Sequence, residues 1–311
     1  MLFNGTQVSP VAECHFAEPD VRQRSAVRRS NASGASVRRQ SEYAIILTVV
    51  TDEWQGLVVT EFKDVAVVTG AGRGIGRAVA IKLSSNGYRV ALISRTEDEL
   101  RATAAACPGE TLVLPADITS TEAVDEIFGS VERTWGVIDV LVANAGSGVS
   151  ATISDTTDEQ WAAMLDVNLT APFRCIRRVV PGMIASRWGR IVVVASVAAK
   201  HGESYISAYT ASKHGILGVV RSAAAELAAS GVTANAVCPG YVDTPMTERT
   251  VAGIAEKTGR SPDSARAALA AKQPGGRLVS VDEVADTVWL CVTNAAISGQ
   301  GINVDGGGVQ S

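Results

Sequence analysis

From about residue 61 onward, the chain alternates between short apolar runs and longer amphipathic segments. The short runs are rich in Val, Ile, Leu and Ala, which is typical of strands buried on both faces of a parallel sheet. These runs begin at Val65, Tyr88, Thr111, Ile138, Ile191, Val232 and Gly301. Predicted helices occupy 77–85, 97–106, 121–134, 158–185, 207–230 and 281–293. The alternation predicts an α/β fold: one doubly wound domain with a parallel sheet of about seven strands and helices on both faces.

Residues 1–60 differ in composition from the rest of the chain. No acidic residue occurs between Asp20 and Glu42, and six arginines are interleaved there with Ser, Asn and Ala. This composition predicts disorder, and two interpretations stay open: an Arg-rich targeting presequence and an extension outside the fold. We expect the native start at Val58 or Val59 and a single domain over 61–311.

Composition and charge narrow the function classes. The 311 residues are 46% hydrophobic and 19% charged, with a net charge of −4, so no basic surface for nucleic acid is expected. The apolar run 44–50 is too short to span a membrane. The five cysteines are scattered without a CxxC pair, which favours free thiols in a reducing, cytoplasmic location and argues against a metal site.

A glycine-rich turn follows the first predicted strand. It has the spacing Gly70-x-x-x-Gly74-x-Gly76 and leads directly into a helix. Glycines let a pyrophosphate approach the backbone amides of a helix N-terminus, because no Cβ atoms block the way. The turn therefore predicts a dinucleotide site that includes Gly70, Arg73, Gly74, Ile75 and Gly76.

The end of the second strand bears on the choice of cofactor. NAD enzymes usually place an acid there for the ribose hydroxyls, whereas this chain has Ser94 and Arg95, with Arg73 in the glycine turn. Two guanidinium groups and a hydroxyl suit a 2′-phosphate, so NADP(H) is preferred, with NAD(H) as the alternative. In that alternative, Glu97 or Asp98 binds the ribose.

Candidate chemistry centres on Tyr209 and Lys213, which are four residues apart on a predicted helix and so share one face. An ammonium beside a phenol is expected to lower the phenol pKa toward the range useful for proton transfer. Ser196 ends the strand before this helix, at the carboxyl edge of the sheet where ligands bind. The alternative is an ordinary exposed helix pair.

Together these motifs resemble the short-chain dehydrogenase/reductase family, from about Glu61 to the C-terminus. The resemblance implies a Rossmann domain in which Ser196, Tyr209 and Lys213 are catalytic. It adds Asn168 as a fourth catalytic residue, which in the family bends its helix and holds a water against the lysine.

The same resemblance implies further cofactor contacts. Asp117 and Ile118 match the adenine-contacting pair, although Asp117 could instead cap the next helix. Tyr209 and Lys213 also contact the nicotinamide ribose, and residues 241–276 form a substrate lid. The remaining implied cofactor residues are Asn144, Ala145, Gly146, Pro239, Gly240, Val242 and Thr244.

Substrate and assembly follow from the resemblance alone. The segments around Tyr209 and Pro239 are similar to those of 3-oxoacyl-thioester reductases and 3-hydroxyacyl-CoA dehydrogenases, which implies hydride transfer to a 3-oxoacyl thioester. Steroids, sugars or small ketones as substrates, and a non-catalytic dinucleotide-binding protein, remain alternatives. Relatives pair two long helices into homodimers and homotetramers, but the Ala-rich face 223–229 equally suits burial within one subunit.

Overall fold

The computed structural model describes residues 65–310. The predictions for residues 1–60, including the native start at Val58 or Val59, lie outside the described residues. Within 65–310, no helix is long and apolar enough to cross a membrane.

Seven parallel strands form a single sheet in the order β3-β2-β1-β4-β5-β6-β7. The strands are β1 (Val65–Thr69), β2 (Arg89–Ser94), β3 (Thr111–Pro115), β4 (Val140–Ala143), β5 (Gly189–Val194), β6 (Val232–Pro239) and β7 (Gly301–Val304). The predicted strand runs are all confirmed as strands, and so is the fold class.

Nine α-helices connect these strands within the described range. They are α1 (Gly74–Ser85), α2 (Glu97–Ala104), α3 (Thr121–Trp135), α4 (Asp158–Leu165), α5 (Ala171–Ser186), α6 (Ser207–Leu227), α7 (Pro245–Thr258), α8 (Pro262–Ala270) and α9 (Val281–Thr293). Serine or threonine hydroxyls cap the N-termini of α3, α4, α7, α8 and α9, which explains where these helices begin.

Two hydrophobic cores lie on opposite faces of the sheet. Alternate residues of β1 separate cleanly: Val65 and Val67 pack into one core, and Ala66 and Val68 into the other. The first core includes residues of α3, α5 and α6, and the second includes residues of α1 and α9. Burial on both faces explains why the strand sequences are continuously apolar.

The strand order reverses between β1 and β4, and polar side chains join the two strand ends there. Thr69 is buried, and its hydroxyl accepts hydrogen bonds from the N–H groups of Asn144 and Ala145, both at 3.0 Å. The Asn144 amide donates back to the carbonyls of Thr69 and Gly70. Such a reversal is where doubly wound sheets bind ligands, so this junction locates the candidate site.

Helical residues run without a break from Asp158 to Ser186, as predicted over 158–185, and the run is distorted around Asn168, where the family resemblance implies a bend. The structure has α4, a π-helical turn at Asp166–Thr170 and then α5. Asn168 lies in the π turn, where its side chain bonds to the backbone of Ser147, 21 residues earlier. This long-range pair accompanies a local widening that is frequent at functional sites. The helix predicted to end at residue 230 ends at Leu227.

Replacing Thr69 by Val should destabilise the domain by about 2 kcal/mol, because two backbone donors lose their acceptor. Urea unfolding would measure the change. The control is Thr250→Val, which removes an exposed hydroxyl from α7 and should shift stability by less than about 0.5 kcal/mol. Equal stabilities for the two variants would contradict the role given to Thr69.

Candidate active site

Ser196, Tyr209 and Lys213 come together at the carboxyl end of β5. Tyr209 and Lys213 lie one turn apart on α6, and the Lys213 Nζ is 5.6 Å from the centre of the Tyr209 ring. That Nζ donates a hydrogen bond to the Val194 carbonyl at 3.1 Å. The Ser196 hydroxyl accepts from the Ala198 N–H, and it is near enough to the Tyr209 phenol to lower the pKa of that phenol. The ordinary exposed helix pair is not what forms, because Lys213 is buried.

Burial controls the electrostatics of this cluster. Burial lowers the pKa of Lys213 to about 8. Burial also raises the pKa of Tyr209, and the hydrogen bond with Ser196 opposes that rise. The predicted lowering of the Tyr209 pKa is therefore wrong in direction. The physical reason is that desolvation disfavours the phenolate, while the ammonium lies toward the ring and is bonded to a carbonyl.

Asn168 is buried and fully engaged with the loop after β4. Its Oδ1 accepts from the Ser147 N–H at 3.1 Å, and its Nδ2 donates to the Ser147 carbonyl at 2.9 Å. A Cβ added to Gly146 would lie 2.7 Å from that Oδ1 and 3.7 Å from the Lys213 Nζ. Asn168 and Lys213 thus meet beside Gly146, and a role for Asn168 in holding a water stays a prediction.

The turn from Gly70 to Gly76, called the glycine cradle below, brings backbone atoms so close together that side chains would not fit at Gly70 and Gly76. Gly70 has φ +67°, and a Cβ there would lie 2.8 Å from the Asn144 Nδ2. A Cβ at Gly76 would lie 2.2 Å from the Gly70 carbonyl oxygen, so only glycine lets α1 pack this closely. The N-terminus of α1 has no side-chain cap and no acid in its first turn. These features fit the pyrophosphate of a dinucleotide.

The turn after β6 lies against the glycine turn. A Cβ at Gly74 would be 3.4 Å from the Thr244 Cγ2. Thr244 caps α7, Val242 pairs with Val279, and the Gly240 N–H donates to the Val304 carbonyl after the Pro239 end of β6. The structure therefore brings Thr244 beside the glycine cradle, as a shared cofactor site requires.

The groups predicted to select the cofactor are arranged around the end of β2. The Arg73 guanidinium donates to the Glu99 Oε1 at 3.1 Å. Arg95 is exposed, and Ser94 lies close to Glu99 at the edge of the glycine turn. Glu97, one of the two acids considered from the sequence, pairs instead with Arg101.

Glu99 was missed by the sequence prediction. It lies one helical turn before Thr103, whose buried hydroxyl bonds to the carbonyls of Ala71 and Gly72. The i, i+4 spacing of these two polar residues on a short helix was the available signal.

The alternative role for Asp117, capping the next helix, is wrong. Ser120 caps α3, accepting from the Ala123 N–H. The Asp117 carboxylate accepts hydrogen bonds from the N–H and hydroxyl of Thr119, which lower its pKa, with a smaller contribution from Arg95. Ile118 packs in the core. An adenine contact at Asp117 and Ile118 stays a prediction.

The segment predicted as a lid contains α7 and α8, which share a small core of their own. It is fastened to the loop before α6 by polar contacts. The Tyr241 hydroxyl donates to the Glu203 Oε1 at 2.7 Å, and the Lys272 Nζ lies 2.5 Å from the same oxygen. Burial, followed by the bond with Glu203, raises the pKa of Tyr241 to about 12. Lid motion stays a prediction.

Comparisons with known proteins agree with this geometry. The sequence model of the short chain dehydrogenase family matches residues 64–255. A protein of Streptomyces virginiae, which carries the name "Monensin polyketide synthase putative ketoacyl reductase", is 39% identical over 78% of this chain and 96% of its own length. The 3-oxoacyl-acyl-carrier-protein reductase FabG of Escherichia coli (strain K12) is 31% identical over 78% of this chain and 96% of its own.

A solved structure is also similar. The crystal structure of a single-substitution variant of the actinorhodin polyketide ketoreductase with NADPH superimposes with a TM-score of 0.77 at 35% identity. The match covers 80% of this chain and 98% of that one.

The buried Lys213 should titrate near pH 8, well below the ordinary lysine value of 10.5, because burial penalises its charged form. The chain has only six lysines, so ¹³C labelling at lysine Cε would resolve them by NMR. The resonance missing from a Lys213→Met variant identifies the group. A Lys213 titration above pH 10 would contradict the buried placement.

Proposed function

The chain belongs to the short-chain dehydrogenase family, and on that premise we propose that it reduces 3-oxoacyl thioesters to 3-hydroxyacyl thioesters with NADPH. Members of this family act as oxidoreductases on CH–OH groups, and so does this chain. The observation that carries the proposal is the cluster of Ser196, Tyr209 and buried Lys213 next to the glycine cradle.

Tyr209 is the proposed proton donor. A bound nicotinamide supplies the hydride to the carbonyl carbon. The Tyr209 phenol is protonated at neutral pH and can give its proton to the developing alkoxide. Burial raises its pKa and so makes it a weaker acid, which increases the need for groups that stabilise the phenolate. Ser196 donates a hydrogen bond to the same oxygen, and the Lys213 ammonium, 5.6 Å from the ring centre, stabilises the phenolate that remains.

The proposed cofactor site uses this chain's own amides and cations. The N-terminus of α1 would bind the pyrophosphate, because no side chain caps this helix and its own first turn carries no acid. Ser94, Arg95 and Arg73 would hold the 2′-phosphate, since two guanidinium groups and a hydroxyl suit that group, which is why NADPH is proposed over NADH. The backbone at 144–146 lines the nicotinamide side, since it follows β4 at the strand-order reversal.

The substrate class is inferred from relatives and from the loop that lies beside Tyr209. The names of the two relatives describe reductases of ketoacyl and 3-oxoacyl groups. The loop after β4 lies beside Tyr209, since a Cβ at Gly148 would be 3.8 Å from its ring, and it bonds to the exposed Tyr205 through Ala151.

Two alternatives from the sequence bear on this proposal. A non-catalytic dinucleotide-binding protein has no need for a lysine buried at a desolvation cost beside a phenol, and that burial argues for catalysis.

The homodimer or homotetramer stays a prediction. Trp161 of α4 and Phe173 of α5 are each more than two-fifths exposed.

The full chain should oxidise NADPH when it is supplied with acetoacetyl-CoA. The loss of NADPH absorbance at 340 nm measures this reaction. NADH should support a lower kcat/KM, because it lacks the phosphate that Arg73 and Arg95 would bind. A ketosteroid, a keto sugar and a small ketone complete the panel. Turnover of one of these without turnover of the thioester would keep the reaction class and remove the acyl substrate.

Replacing Tyr209 by Phe should reduce turnover by on the order of 100-fold or more, because the proton donor is lost. NADPH binding, followed by its fluorescence, should persist. The control is Tyr205→Phe, which removes an exposed phenol oxygen and should leave turnover close to that of the wild type. Near-native rates in Tyr209→Phe would remove Tyr209 from the mechanism.

A further inference from the structure

Glu99 lies against the glycine turn at the point where the cofactor ribose is proposed to bind. A Cβ added to Gly72 would be 2.8 Å from the Glu99 Cβ and 3.1 Å from its Oε2. The same point is 3.2 Å from the Ser94 hydroxyl. The Glu99 carboxylate and the Ser94 hydroxyl therefore share one small volume beside the Gly72 backbone.

This position is fixed by the rest of α2. Thr103 is completely buried, and its hydroxyl bonds to the carbonyls of Ala71 and Gly72 at 3.0 and 3.2 Å. Glu99 lies one turn before Thr103, so both face the glycine turn. The carboxylate is thus held at the site by the packing of the helix and not only by its own ion pair.

Glu99 also forms an ion pair with Arg73, which is one of the two cations proposed to bind the 2′-phosphate. Its Oε1 is 3.1 Å from the Arg73 Nη1. The two neighbouring acids of the same helical turn do not pair with Arg73. Glu97 pairs with Arg101, and Asp98 forms no ion pair with any residue that the structure describes.

We propose that Glu99 sets the cofactor selectivity of this site by competing with the 2′-phosphate for Arg73, so that the protein accepts NAD(H) as well as NADP(H). A phosphate near Arg73 meets the negative charge of Glu99, whereas a ribose hydroxyl can donate a hydrogen bond to the same carboxylate. This inference rests on the proposed function, because it requires a dinucleotide in the glycine cradle. It differs from the sequence prediction, in which Glu97 or Asp98 was the candidate acid.

The test is equilibrium binding of NADP⁺ and of NAD⁺ to the full chain by isothermal titration calorimetry, without substrate. Glu99→Gln should tighten NADP⁺ binding by roughly three- to ten-fold and weaken NAD⁺ binding, because the competing charge and the ribose acceptor are lost. The gain for NADP⁺ should shrink at high salt. The matched control is Glu97→Gln, which removes one charge from the same turn and should change neither affinity.

The outcomes separate this inference from the proposed function. Binding of either dinucleotide by the wild type, with no change in the ratio of the two affinities in Glu99→Gln, would overturn the role of Glu99 alone. Equal shifts in both variants would overturn it too, since they would reflect a general charge effect on α2. Absence of any dinucleotide binding by the wild type would contradict the proposed function and this inference together.

Discussion

The site depends on the polar junction between β1 and β4. These strands lead to opposite halves of the sheet, and the Thr69 hydroxyl joins their ends by accepting two backbone N–H groups. Asn144 completes the junction by bonding back to the glycine turn. This junction therefore fixes the position of the glycine turn relative to the loop after β4, which contacts Asn168. Buried polar groups tolerate little displacement, because each lost bond leaves an unsatisfied donor.

The burial of Lys213 beside Tyr209 sets the acid–base properties of the site. The ammonium is held near Tyr209 by the Val194 carbonyl, and desolvation lowers the pKa of the lysine while it raises that of the tyrosine. Desolvation makes the phenol a weaker acid, and the nearby ammonium offsets part of that cost by stabilising the phenolate that forms when the proton leaves. The contacts that hold Lys213 near Gly146 and Val194 therefore also place its ammonium beside Tyr209, where the proposed reaction needs it.

Much of the architecture, and the clustering of Ser196, Tyr209 and Lys213, could be predicted from the sequence, because strand runs, the glycine spacing and the Tyr209–Lys213 interval are local patterns. What could not be predicted depends on contacts distant in sequence. The π turn holds Asn168 against Ser147, and the direction of the Tyr209 pKa shift follows from burial. Glu99 reaches the glycine turn only because Thr103 anchors α2 there. Spacing along the chain carries none of this information.

We propose that Tyr209 gives a proton, and a bound nicotinamide cofactor a hydride, to the 3-oxo carbonyl of an acyl thioester. The most direct measurement supplies the full chain with acetoacetyl-CoA and NADPH that carries deuterium on the transferred position of C4, and then determines the mass of the product. We expect a 3-hydroxybutyryl thioester with one deuterium on the carbon that bears the new hydroxyl. A hydroxylated product without deuterium, or no reduced product, would contradict it.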